Sequence, residues 1–484
     1  MRTGAEYIES LRNRELTVWY RGKKIVDPVD HPVIAPSVRA VAATFDLAHS
    51  EPEIGSCWSP LAEQQINRFL HIAQSTEDVV AQNRMQRKLG QMTGTCFQRC
   101  VGMDASNALY SVTYDCDQKH KTMYHRRFVE FLVARQKIDE VIGGAMTDPK
   151  GDRSKGPADQ VDPDLFLRVV DRDATGVYVS GAKMHQTGCL NAHWLLLMPT
   201  IRMRPEDSDW AIAGAVKVDA PGITYIYGRQ SCDDRAAEEN ISLDNPRDTG
   251  NSCFGGQEAM IVFDRVHIPA AQVFMDGEVE MASPLVNQFT GFHRRSYICK
   301  AGVGDVLIGA AAQAAEYHGV EKASHIKDKI IEMNLLNETI AGTALAACYQ
   351  SKSTPAGSFQ PDELLANICK QHVTRFPFEI ARLAQDLAGG LMGTLPAADE
   401  FEHEEIGPIL EKYLQVVPGV AVEDRRRLLR LLENMTLGRN AVGYLTESMH
   451  GAGSPQAQRI RIASLSKVDE KKNMARKLAG INSQ

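Results

Sequence analysis

Apolar positions along the chain recur at two periods, and the period changes twice. From residue 1 to about 144 they return every three or four positions, as helices with one buried face require. The stretch TEDVVAQNRMQRKLGQM (76–92) opens on a Thr/Glu start signal. The stretches TCFQRCVGMDASNALYSVTY (95–114) and YHRRFVEFLVARQKIDEVI (124–142) keep the same period. One exception, LTVWYRGKKIVD (16–27), predicts a hairpin. From 145 to 278 the pattern becomes that of strands. DLFLRVVDRDATGVYVSGAKMHQT (164–187) holds two alternating runs around a turn. HWLLLMPTIRM (193–203), WAIAGAVKVDAPGITYIYG (210–228) and AMIVFDRVHIP (259–269) are rich in β-branched and aromatic residues and bounded by Gly, Pro or Asp.

Helical spacing returns from 279 onward. AGVGDVLIGAAAQAA (301–315) reads as a buried helix. LLANICKQHVTRFPFEIARLAQDLAGG (364–390) and RRRLLRLLENMTLGRNAVGYLTESMHG (425–451) read as long amphipathic helices ending near Gly. The expected fold class is α+β, with an N-terminal helical domain (1–144), a middle β-domain (145–278) and a C-terminal helical bundle (279–484). Three such surfaces leave a crevice where they meet, a usual place for a cofactor.

Composition narrows the function classes. The chain has 484 residues, 43% hydrophobic and 24% charged, with a formal net charge of −7. No basic stripe tracks a phosphate backbone, so nucleic acid is not an expected partner. The densest basic patch, EDRRRLLRLLE (423–433), carries leucines at helical spacing and fits one face of a packed helix. The polar start MRTGAEYIESLRNRELT resembles no export or transit signal, and no run of about 18 apolar residues predicts a membrane span. A cytoplasmic location is expected. Ten cysteines scattered through such a chain fit reduced thiols, some of them free to bind metal.

The candidate chemistry lies in a few stretches. Cys96 and Cys100 in GTCFQRCVG, on the predicted helix, would place both sulfurs on one face. That suits a soft metal or an iron–sulfur cluster, and equally a pair of buried core cysteines. FHRRSYICK (292–300) could add His293 and Cys299. On a continuous helix, however, six positions turn through about 600° and leave the two on nearly opposite faces. AMTDPKGDRS (145–154) and AKMHQTG (182–188) are polar loops able to line a crevice or to serve as ordinary turns. The glycines of HGAGSPQAQR (450–459) could let backbone approach a phosphate. Glu258, Glu447, Tyr297 and Lys300 are candidates for proton transfer, though each could also be a solvated or capping residue.

Taken together, CFQRCVGMDA, AMTDPKGDRS, AKMHQTG, YGRQSCD, FGGQEAM, HRRSY followed by CK and GVGDV, KASHIKDK and TESMHGAGSPQAQR resemble the 4-hydroxybutyryl-CoA dehydratase family. The resemblance runs the length of the chain in the same order. The wider family includes the flavin-dependent 4-hydroxyphenylacetate 3-monooxygenases. The resemblance implies an acyl-CoA dehydrogenase-like fold, a homotetramer, an acyl-CoA substrate, FAD and a 4Fe–4S cluster. It also implies Cys96, Cys100, His293 and Cys299 as cluster ligands and Gln98 near the substrate. Flavin contacts would come from Thr147, Asp148, Pro149, Lys150, Asp152 and Arg153 of the first loop and from His185, Gln186 and Thr187 of the second. Ala452 would lie close by. Catalytic roles would fall to His293, Glu447, Tyr297, Lys300 and Glu258.

One departure stands out. Only Ile298 separates Tyr297 from Cys299, so His293 and Cys299 are six apart where the family has seven. A helix break or a π-bulge at that point could absorb the missing residue. The implied reaction turns 4-hydroxybutyryl-CoA into crotonyl-CoA by a flavin-mediated radical route with the cluster as Lewis acid, together with vinylacetyl-CoA isomerisation. The competing expectation is a reduced-flavin aromatic monooxygenase without a cluster.

Overall fold

A computed structural model describes residues 1–229 and 247–481. Residues 230–233 of the YGRQSCD motif, Cys232 among them, lie outside the described residues. The other nine cysteines are free thiols.

Helices dominate both ends of the chain and strands the middle, as the change of period predicts. The larger sheet has six strands in the order Lys23–Ile25, Thr17–Tyr20, Ile223–Tyr227, Glu258–Pro269, Gly176–Thr187 and Arg168–Asp173. The predicted hairpin therefore forms, and it joins this sheet through a parallel pairing of Thr17–Tyr20 with Ile223–Tyr227. The smaller sheet runs Val273–Asp276, Ile212–Lys217, Trp194–Leu197 and Ile142–Ala145. The main core spans both sheets and the helices Ala35–Ser50, Cys100–His120 and Tyr124–Ile138 that pack on them. A second core lies wholly within the C-terminal helices, around Leu307, Met333, Ile380 and Leu432.

The two helical regions meet where helix Thr76–Thr93 crosses helix Ile298–Tyr317. Two glycines permit the approach. A Cβ on Gly90 would sit 2.4 Å from the Cys299 carbonyl oxygen, and one on Gly302 would sit 2.1 Å from that of Arg87. Among the described residues, the pair Val279–Arg295 and Ile298–Tyr317 contains the one stretch apolar enough to span a membrane by length and composition. Its critical window is 72% buried inside the fold, which accounts for its apolarity.

Three expected helices are interrupted. The stretch 364–390 forms two, Glu363–Val373 and Phe376–Ala388, because Pro377 cannot continue the first and instead starts the second. The stretch 425–451 forms helix Val422–Thr436, a break at Gly438, a short turn, a π-helix at Val442–Thr446 and a last turn, Glu447–His450. The stretch 95–114 begins its helix only at Cys100. Residues 94–99 form a loop, so the shared helical face expected for Cys96 and Cys100 is absent. Gly94 in the left-handed region ends the preceding helix, and Gln98 adopts φ +67°, which no helix accommodates.

Candidate active site

The loop before Cys100 is held by the side chain that strains it. Gln98 Nε2 donates to the carbonyls of Gly255 (3.0 Å), Ser37 (3.3 Å) and Cys96 (3.3 Å), while its Oε1 accepts from Asn191 at 2.8 Å. A buried amide so fully satisfied fixes a conformation that costs of order 1–3 kcal/mol. Arg99 anchors the next position from the other side, between the rings of Phe45 and Phe69 at 4.6 and 4.7 Å. The loop thus replaces the helix as the device that brings Cys96 near Cys100.

Cys299 reaches the same place from the C-terminal region. It packs with Cys100, Phe97, Met85 and Leu89 in one small buried cluster. The expected irregularity between His293 and Cys299 is present as a break. Helix Val279–Arg295 ends, Ser296 and Tyr297 turn, and a new helix starts at Ile298. Across the turn Cys299 N bonds Ser296 O (3.2 Å) and Lys300 N bonds Tyr297 O (2.9 Å). Such three-residue turns rotate about 120° per residue instead of about 100°. They move Cys299 back toward the face that carries His293.

His293 is fixed in place. Its ring stacks on Phe289 at 5.2 Å, meets Tyr297 edge-on at 5.5 Å, and hydrogen-bonds through Nδ1 to Asp104 Oδ2 at 2.8 Å. The Nε2 lone pair is then the one left for a further partner.

Beside the thiols sits a carboxyl pair. Glu258 begins the strand Glu258–Pro269, opposite Thr187, whose hydroxyl donates to Glu258 Oε1 at 2.5 Å. Burial pushes the Glu258 carboxyl well up, and the charge of Glu447 and their shared hydrogen bond push it further. Burial would raise Glu447 as well. There the charge of Lys300 and hydrogen bonds from Glu258, Lys300 and Cys96 outweigh it and hold the group below its usual value. The pair therefore shares one proton, kept on Glu258, with Glu447 ionised.

Lys300 Nζ lies 3.0 Å from Glu447 Oε2 and 2.6 Å from the carbonyl of Gly443 inside the π-helix. Burial opposes its charge, yet the charge of Glu447 holds it protonated. Tyr297 Oη approaches the Glu447 carbonyl at 3.4 Å, where a Cβ on Gly451 would collide with it at 1.8 Å. Burial raises the Tyr297 phenol well above its usual value.

The loops predicted to contact a cofactor divide. Asp148 is buried against Lys183 Nζ (2.6 Å) and Thr200 (3.1 Å), so it braces its loop. Gln186 spans to Met146 N (3.0 Å) and the Thr147 carbonyl (3.2 Å), tying the two loops together. Pro149 is half-buried, and Lys150 and Arg153 are exposed. Asp152 caps its own turn through Ser154. His185, at φ +57°, is drawn down by burial first and then by the charges of Lys150 and His450. Ala452, at φ +55°, packs beside Tyr297 and offers its carbonyl to Arg294 at 3.1 Å.

Two further residues of the site were not expected. Asp104 is four positions after Cys100 on its helix, a spacing that could have flagged it. Lys370 is fully buried, donates to the Ser448 carbonyl and lies 4.3 Å from the Tyr297 ring centre. Nothing in its local sequence marks it.

A soft-metal cluster fits this donor set. Burial raises all three thiols, and Lys300 opposes the rise in each. The buried cations Lys300, Arg294 and Arg295 outnumber the carboxylates beside them, Asp104 and Glu447. Thiolates on a metal would supply the missing negative charge. Among the described residues no three His, Cys, Asp or Glu side chains gather closely enough for a single ion. A four-iron cluster asks for something else, with ligands spread around its corners.

Split carboxyl groups beside buried thiols define an acid–base site with soft-metal donors. The chain belongs to the 4-hydroxyphenylacetate 3-hydroxylase family, whose N-terminal model matches residues 3–275 and whose C-terminal model matches residues 282–480. Within it, the chain is 51% identical to the 4-hydroxybutyryl-CoA dehydratase/vinylacetyl-CoA-Δ-isomerase of Clostridium aminobutyricum, over 99% of each chain. It is 27% identical to the oxygenase component of 4-hydroxyphenylacetate 3-monooxygenase of Thermus thermophilus, over 90% of this chain and 88% of that one. A solved oxygen-tolerant archaeal 4-hydroxybutyryl-CoA dehydratase from N. maritimus superposes with a TM-score of 0.98 at 61% identity, covering 100% of this chain and 96% of the other.

Proposed function

We propose that the protein is a hydro-lyase that dehydrates 4-hydroxybutyryl-CoA to crotonyl-CoA and also isomerises vinylacetyl-CoA to crotonyl-CoA. The observation that carries the reading is the divided pair Glu258 and Glu447 set against Cys96, Cys100 and Cys299. Identity of 51% and 61% to proteins bearing the dehydratase name supports it. The 27% relation to a phenol monooxygenase supports the competing reading less.

The proton inventory of the reaction suits the pair. Two protons leave C2 and C3, one is delivered to C4, and one departs with the hydroxyl as water. Glu447, ionised and steadied by Lys300, takes the C2 proton, and the C3 proton leaves with the hydroxyl as water. Glu258 protonates C4, and the proton on Glu447 passes back to Glu258 through their shared hydrogen bond. Isomerisation needs only removal at C2 and delivery at C4, so the same pair serves both reactions. Tyr297 and Lys300 orient the acyl group, and Gln98 keeps the thiol loop in place. Cys96, Cys100, Cys299 and His293 Nε2 would hold a 4Fe–4S cluster. Thr187 and the loop 147–153, with His185, Gln186 and Ala452, would line an FAD site. When bound, FAD supplies one-electron chemistry that acidifies C3, and the cluster supplies a Lewis acid for the hydroxyl. The reading further includes a cytoplasmic homotetramer with an acyl-CoA dehydrogenase-like division at 1–144, 145–278 and 279–484.

Purification without oxygen tests it. Close to four iron and four sulfide per subunit, with FAD and turnover of 4-hydroxybutyryl-CoA, is the expected result. Flavin without iron, and hydroxylation of a phenol by reduced flavin and oxygen, would replace it with the monooxygenase reading.

A further inference from the structure

We infer that Asp104 is a positioning residue that aims His293 Nε2 at the metal and pins the helix break through which Cys299 reaches the same site. The inference rests on the cluster reading above.

Asp104 sits one turn after Cys100, near the start of helix Cys100–His120, with no exposure to solvent. A carboxylate in such a place is costly unless its partners require it. Its two oxygens divide between two partners on the other side of the site. Oδ2 accepts from His293 Nδ1 at 2.8 Å, and Oδ1 accepts from the Ser296 hydroxyl at 3.0 Å. Arg295, the nearest cation, stands 3.6 Å away and spends its own hydrogen bonds on Asn83 and Gln82.

Each contact has a consequence. A carboxylate only accepts, so the imidazole proton must lie on Nδ1, and Nε2 must carry the lone pair that ligates metal. The Ser296 hydroxyl also lies 3.1 Å from the Phe292 carbonyl, at the end of the first helix. Asp104 therefore grips the first residue of the turn that absorbs the short His293-to-Cys299 spacing. One side chain links the helix of Cys100, the orientation of His293 and the break before Cys299. A purely structural filler at this point would need no charge.

The test compares anaerobically purified wild type with Asp104→Asn and Asp104→Ala. The readouts are iron and sulfide per subunit, the rate of iron loss to a chelator, FAD content, and the hyperfine coupling of ¹⁵N-histidine to the cluster. Asp104→Ala is expected to lose iron about 10–100-fold faster and to lose the histidine coupling, with FAD content retained in the folded protein. Asp104→Asn keeps the size and one acceptor and should fall between the two. If Asp104→Ala fails to fold, the Asn variant decides. Wild-type iron retention and coupling in the folded variants would overturn the inference while leaving the cluster reading intact. Wild-type protein without iron would overturn both.

Discussion

Two buried cations, one near the candidate site and one remote from it, show what a partner does. His71 and Lys370 are 4% and 0% exposed, and burial by itself pushes both toward their neutral forms. In His71 the effect is outweighed. Its Nε2 lies 3.3 Å from Asp78 Oδ1, too poorly aligned for a good hydrogen bond but close enough for an ion pair, and Asp78 together with Cys57 raises its value to about 9. Among the described residues no carboxylate pairs with Lys370. Burial, helped by Lys300 and Arg294, lowers it to about 7. The remote cation is satisfied and holds structure together. The one beside the site is left out of balance, against a tyrosine ring and a carbonyl, where perturbed groups tend to collect.

The largest effect should come from unbalancing the site further. Glu447→Gln removes the charge that answers Lys300 and leaves a second lone cation beside Lys370. Turnover is expected to fall by about two to four powers of ten, with FAD and iron retained. Near-normal turnover would remove Glu447 from the proton chemistry and make Lys300–Glu447 a structural pair like His71–Asp78.

Balancing Lys370 should do the reverse. In the unfolded chain its amine titrates near 10.5, and in the folded protein near 7. Between those values only the unfolded chain holds the proton. The Lys370 contribution to stability therefore drops as pH falls from 10.5 to 7, by on the order of 5 kcal/mol, and the loss is complete below about 7. Lys370→Met removes that penalty at the cost of one hydrogen bond and a cation–π contact. The variant should be more stable by a few kcal/mol at pH 7, lose that advantage toward pH 10, and turn over more slowly because Tyr297 and Ser448 lose their anchor. Stability curves that stay parallel across this range would show that Lys370 is compensated after all.

The contrast also marks what could be read from the sequence. Periodicity located most helices and the strands of the larger sheet, because a buried face imposes its period on every residue of an element, but it missed short strands such as Ile142–Ala145 and Val273–Asp276. It failed where tertiary contacts override local preference. Cys96 looks helical in the sequence, and Gln98 takes it out of the helix with three hydrogen bonds to segments far along the chain. A π-bulge was one expectation for the His293–Cys299 stretch. The structure has a break there and places a π-helix before Glu447 instead, where Lys300 takes the Gly443 carbonyl. Motifs named most of the site, since residues such as Glu258 and Lys300 stand in recognisable strings. Lys370 carries no such string. Its burial depends on the fold around it, as does the pairing of Asp104 with His293 across 189 residues of chain.

The paired cation gives the smallest and cleanest test. His71 titrates near 6.5 when unfolded and about 9 when folded. Below pH 6.5 both states keep the proton, and the ion pair stabilises the fold in full, by on the order of 3 kcal/mol. As pH rises through 9 the folded protein gives up the proton and that contribution is lost. Asp78 acts in the other direction. Its carboxyl, pushed up by burial but pulled further down by His71, sits at about 2 against 3.8, so its share is present above 3.8 and fades as pH falls toward 2. His71→Gln should thus cost most at pH 6, and its deficit against wild type in urea unfolding should shrink by about 3 kcal/mol on going to pH 10. That slope is opposite in sign to the one predicted for Lys370 over nearly the same range. A deficit independent of pH would mean that Asp78 does not hold the His71 proton, and that burial rather than pairing governs both cations.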